Sequence, residues 1–99
     1  MKRIALLSTL TVLAVSSYAA DEAVLAKYNQ SCAVCHAAGV AGAPQTGSAD
    51  QWAPRLEKGM DAMVANATAG IGAMPPKGMC NDCSAEDFQA LIEYMSTAQ

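Results

Sequence analysis

Residues 32–36 read Cys-Ala-Val-Cys-His, and no other stretch constrains the fold of this chain as strongly. Two thiols three positions apart, followed directly by an imidazole, form the attachment pattern for a c-type haem. One turn of chain presents both sulfurs to the two vinyl groups at one haem edge, and the next residue brings a nitrogen donor under the iron. Cys32 and Cys35 are therefore the predicted covalent anchors and His36 the predicted axial ligand of one haem c. A chain built this way wraps a flat apolar ring instead of packing side chain on side chain alone.

The start of the chain reads like that of an exported protein. Lys2 and Arg3 form a basic region, Ile4 to Val15 an apolar one, and Ser17-Tyr18-Ala19 a small-x-small signal that predicts cleavage before Ala20. Residues 1–19 are thus expected to be a removed leader and 20–99 a single domain, soluble and extracytoplasmic. The apolar run is too short to span a bilayer, although a retained anchor is the alternative reading. Lys2 and Arg3 leave with the leader, so six basic residues fall to four against nine acidic ones, a net charge of −5. That balance disfavours nucleic acid and anionic lipid and suits docking to a basic or mixed patch on another protein.

A domain this small seldom holds together on side chains alone, and the mature chain keeps only Tyr28, Trp52, Phe88 and Tyr94 as aromatics. Haem would supply the missing core. No strand pattern competes with helix. Asp21 to Cys32 places Val24, Leu25, Tyr28 and Cys32 on one helical face, with acidic residues at the start where the helix dipole favours them. Gly39 to Gly47 reads as an irregular loop over one haem face. Ser48 to Gly59, interrupted by Pro54, and Met60 to Ala69 are two further short helices. Ser84-Ala85-Glu86-Asp87 resembles a cap, and Phe88, Leu91, Ile92 and Met95 follow as a stripe expected to pack on the first helix.

His36 is the only histidine, so a second axial ligand must be something else, and a methionine thioether leads. Met60, Met63 and Met95 fall on helical apolar faces, where methionine usually fills core. Met74 lies in Gly70-Ile71-Gly72-Ala73-Met74-Pro75-Pro76, where glycines permit close backbone approach and prolines hold the chain extended. Met74 is the predicted ligand, with Met79 or an open or lysine-ligated iron as alternatives. The other nitrogen of His36 should donate to a backbone carbonyl, with Pro44 the candidate acceptor, although Pro44 serves equally well as a plain turn residue.

Cys80-Asn81-Asp82-Cys83 repeats the two-thiol spacing, but serine follows it, so it cannot hold a second haem in the same way. In an oxidising compartment it reads as a local disulfide, with a thioredoxin-like redox pair as the alternative. A zinc site built from Cys32, Cys35, Cys80 and Cys83 would use all four cysteines but leaves His36 and the Met74 segment without a role.

Taken together, Cys32 to His36, Gly39-Val40-Ala41-Gly42-Ala43-Pro44, Trp52-Ala53-Pro54-Arg55, Ala73 to Gly78 and the Cys80, Cys83 pair resemble the small monohaem class I cytochromes c, most closely the cytochrome c₅ group. The resemblance covers nearly all of the mature chain. It implies an all-α fold wrapped around one covalent haem, His36 and Met74 as axial ligands, and a Cys80 to Cys83 disulfide. It also implies Trp52 and Arg55 near the haem propionates, where an indole N–H and a cation would stabilise carboxylate charge; the plainer reading makes Trp52 core and Arg55 solvated surface. The function implied is that of a periplasmic one-electron carrier, not an enzyme, serving membrane respiratory complexes and terminal reductases or oxidases. No small-molecule substrate is expected, and pairing of two copies through their haem edges stays open. A haem sensor or enzyme with a vacant sixth site, or a zinc-stabilised interaction module, are the alternatives.

Overall fold

The amphipathic stripe near the C-terminus organises the molecule. In the computed structural model, which describes residues 17–97, helix α5 (Ala85–Ser96) buries Phe88, Leu91, Ile92 and Met95, and Leu91 is only 1% exposed. Its start is closed by a reciprocal cap: the Ser84 N–H donates to the Asp87 carboxylate at 2.9 Å, and the Asp87 N–H donates to the Ser84 hydroxyl at 3.1 Å. Such a cap contributes about 1 kcal/mol by satisfying donors that the first turn leaves unpaired.

Two partners cover the stripe. Helix α1 (Ser17–Lys27) lies on one side, held by the Lys27–Asp87 ion pair at 2.9 Å and, just beyond its end, by an edge-to-face contact of Tyr28 with Tyr94 at 5.0 Å. Helix α4 (Met60–Ala69) lies on the other side and adds Met63 and Ala67 to the core. Helix α3 (Ala49–Leu56) contributes Trp52, 3% exposed, and tolerates Pro54 because it ends two residues later. Among the described residues the fold is all-α, with one isolated bridge between Ile71 and Met74 and no helix long and apolar enough to cross a membrane.

The first helical run differs from its sequence pattern in three ways. It begins at Ser17, so Asp21 and Glu22 lie beyond the first turn. Leu25, at the flank of the stripe, is 41% exposed. After Lys27 the backbone widens into a π-helical stretch, Tyr28–Cys32, in which the Ala33 N–H reaches back to the Tyr28 carbonyl, before tightening again into α2 (Ala33–His36). The extra residue in that turn rotates everything after it, so Tyr28 stays in the core while Cys32, Cys35 and His36 line a separate cleft. The predicted leader, residues 1–19, lies outside the described residues except for its last three.

Candidate cofactor site

The cleft, about 350 Å³, lies between α2, the loop after it, α4, α5 and the segment around Met74. Met63, Phe88, Leu91, Ile92 and Met95 line it from the core side, while Val34, Val40, Ile71 and Met79 stand exposed around it. Cys32 and Cys35 are free, half-buried and both on its lining. Burial pushes the Cys32 thiol above its ordinary value, so at neutral pH it stays protonated.

The imidazole of His36, 8% exposed, is oriented by the loop that follows it. Nδ1 lies 2.8 Å from the Pro44 carbonyl. A carbonyl can only accept, so Nδ1 carries the proton and Nε2 presents a lone pair. The same loop is anchored at each neighbouring residue. The Gln45 carbonyl accepts from the Trp52 indole N–H at 2.8 Å, the Thr46 N–H donates to the His36 carbonyl at 2.8 Å, and the Tyr28 hydroxyl donates to Thr46 Oγ1 at 2.8 Å. The Trp52 ring also stacks on the imidazole, with centroids 5.7 Å apart. The predicted use of the Trp52 indole N–H on a propionate is therefore corrected: that donor is taken by Gln45, and the residue is core.

Met74 sits half-buried on the lining, in a turn closed by the Met74 N–H to the Ile71 carbonyl (2.9 Å) and the Ile71 N–H to the Met74 carbonyl (3.1 Å). Gly70 makes the turn possible. With φ at +89°, it passes so close that a Cβ would meet Pro76 N at 2.9 Å and the Met74 carbonyl oxygen at 3.0 Å. Met79 reaches the same cleft but is 59% exposed. Met63 and Met95 are core residues that also line the cleft, a double role that helical spacing alone does not reveal.

Cys80 and Cys83 are joined in a disulfide, Cα to Cα 5.4 Å, buried immediately before the α5 cap. Asp82 lies near their sulfurs, but bonded sulfurs are not thiolate ligands, and among the described residues Cys32 and Cys35 do not gather with them. The four-cysteine zinc arrangement is thereby overturned.

Charge around the cleft runs against that of the chain. Arg55, Lys58 and Lys77 line it, and no described aspartate or glutamate does. Arg55 is exposed and donates from Nη1 to the Gln51 carbonyl at 2.6 Å. Docking on a basic patch, the expectation from net charge, therefore does not describe this face.

Two reduced thiols, an imidazole with a free Nε2 and a thioether around one apolar cleft fit a single covalent haem, and with the all-helical frame they define a small monohaem class I cytochrome c. The family model described as "Cytochrome C oxidase, cbb3-type, subunit III" matches residues 19–95. Cytochrome c5 of Ectopseudomonas mendocina is 44% identical over 75 residues, covering 74% of this chain and 83% of that protein. The mono-heme ferrocytochrome c of Shewanella putrefaciens has a structure that aligns with a TM-score of 0.68 at 51% identity, covering 77% of this chain and 94% of that one. A chain in the crystal structure of an electron transfer complex of nitrite reductase with cytochrome c aligns with a TM-score of 0.68 at 42% identity, covering 75% and 90%. The chain belongs to this cytochrome c family, near the cytochrome c5 group; it carries one covalently bound haem c and is a small electron carrier.

Proposed function

We propose that this protein is a periplasmic one-electron shuttle between other redox proteins, with Cys32 and Cys35 as the thioether anchors and His36 Nε2 and the Met74 sulfur as the axial iron ligands. The observation that carries the reading is the convergence of those four side chains on one apolar cleft, with His36 held in the Nδ1–H tautomer. Haem iron supplies the one-electron ferrous/ferric couple. The chain's own contribution is to hold both axial donors in place. His36 is oriented by Pro44 and Trp52, and Met74 is held by its turn with Ile71, so little protein rearrangement need accompany a change of charge at the iron. A thioether favours the ferrous state relative to harder donors, and its occupation of the sixth position leaves no vacancy for a substrate.

Arg55 and Lys58 are assigned to the haem carboxylates, because they are cations on the cleft lining and no described carboxylate there competes for them. Lys77, beside Met74, would then steer partners. Export by residues 1–19 and a mature domain of 20–99 complete the reading, supported by the leader-like composition of the first 19 residues. The relative found in complex with nitrite reductase makes a respiratory reductase a fitting class of partner.

The test is the visible spectrum, oxidised and reduced, of protein exported in a host that matures cytochromes c, with carbon monoxide added to the reduced sample. Sharp c-type bands, a far-red thioether band when oxidised and indifference to carbon monoxide are expected. Rapid carbon monoxide binding would move the function to sensing or catalysis. Loss of the far-red band in Met79→Ala and not in Met74→Ala would move the ligand.

A further inference from the structure

We propose that Gly78 is a positioning residue for the Met74 thioether: the space left by its missing side chain seats the Met74 methyl group and thereby selects how the sulfur faces the iron. The inference rests on Met74 being the axial ligand.

After Pro75 and Pro76 the chain coils back on itself. Lys77, Gly78 and Met79 all have positive φ, at 62°, 54° and 66°, and the Gly78 N–H returns to the Pro75 carbonyl at 2.9 Å. This return brings residue 78 against the Met74 side chain. A Cβ on residue 78 would stand 2.8 Å from Met74 Cε, well inside the contact distance of about 3.5–4.0 Å for two carbons. Nothing else lies within 4 Å of that position, so the space belongs to this one methyl group.

Backbone conformation does not by itself demand glycine there. Lys77 and Met79, on either side, hold the same left-handed conformation with full side chains. What distinguishes residue 78 is the atom it faces. A methionine side chain has several soft torsions and a sulfur with two lone pairs, so an unguided thioether can present either one. Fixing the methyl fixes which lone pair remains for the metal.

A matched pair of substitutions in the haem-loaded protein separates this contact from backbone strain. Gly72 has φ at +56°, close to that of Gly78, yet a Cβ there meets nothing within 4 Å. Gly78→Ala should shift or abolish the far-red thioether band of the oxidised protein, lower the reduction potential and admit carbon monoxide to the reduced form. Gly72→Ala should leave all three as in the wild type. Equal effects from both variants, or none from Gly78→Ala, would overturn the proposal. Met74→Ala measured alongside keeps the two readings apart: a surviving band there removes the ligand assignment itself, whereas a lost band with a silent Gly78→Ala removes only the seat. Should Gly78→Ala fail to mature, proton NMR of the reduced wild type decides. A nuclear Overhauser contact between the Met74 ε-methyl and the Gly78 α-protons is expected, and its absence would refute the seat.

Discussion

Replacing Trp52 by phenylalanine removes one N–H while keeping an aromatic ring against His36. The indole donates to the Gln45 carbonyl at 2.8 Å from a position 3% exposed, and phenylalanine has nothing to offer in its place. A buried acceptor left without a partner costs about 1–3 kcal/mol, and because Gln45 is half-buried and water can reach it, about 1–2 kcal/mol is expected. The smaller ring adds a void whose cost is about 1 kcal/mol. For a domain of this size each kcal/mol moves the midpoint by roughly 4–8 °C, so thermal unfolding of the haem-loaded variant should occur about 8–20 °C lower. A second readout separates this chain of contacts from a packing defect. Gln45 adjoins Pro44, so loosening residue 45 weakens the Nδ1 hydrogen bond of His36, makes the imidazole a poorer donor and raises the reduction potential. A midpoint within about 3 °C of wild type, or a large drop with no change in potential, would refute the reasoning.

Four further outcomes are expected. Lys27 and the Ser84 N–H hold the Asp87 carboxyl below its usual range, so its stabilisation is present above the unfolded carboxylate value and is lost as pH falls through the lower folded one. Asp87→Asn should therefore melt below wild type at pH 7 and converge with it in acid below about pH 3, and a constant gap across that range would contradict the ion pair's role. Cys80→Ser with Cys83→Ser should cost about 2 kcal/mol from the short closed loop while leaving haem attached; loss of covalent haem on a denaturing gel would show that the pair does more than stabilise. Lys77→Glu should slow oxidation of the reduced protein by ferricyanide at low salt, with the difference shrinking as the Debye length falls from about 30 Å at 0.01 M to about 10 Å at 0.1 M; equal rates at low salt would exclude Lys77 from steering. Gly70→Ala, whose Cβ would strike the backbone of Met74 and Pro76, should destabilise by about 2–4 kcal/mol in thermal melts, and a midpoint unchanged from wild type would show that the turn relaxes.

Local chemistry was legible in the chain itself. Cys32, Cys35 and His36 are bound together by covalent spacing within about one helical turn, so their shared task does not depend on what packs around them. The α5 stripe and its Ser84 cap are equally local, since a period of 3.6 and a side chain reaching three residues onward are properties of one segment. Pro75, Pro76 and Gly70 likewise marked the Met74 turn before any contact was known.

Tertiary structure decided where donors and charges that could serve several partners are used. The Trp52 N–H goes to Gln45 because the loop after His36 folds back over α3, a closure that no periodicity encodes. The wide turn at Tyr28–Cys32 separates core from cleft along one continuous helical run whose sequence looks uniformly α-helical. Arg55, Lys58 and Lys77, scattered along an acidic chain, come to one cleft only when α3 and the Met74 segment meet across it, which makes the local charge opposite to the net one. Gly78 acquires its meaning in the same way: a missing Cβ becomes a seat only when the chain returns beneath Met74. Short-range steric and hydrogen-bond preferences belong to the sequence, whereas contacts that require a loop to close belong to the fold, because their partners are chosen by packing and not by neighbourhood in the chain.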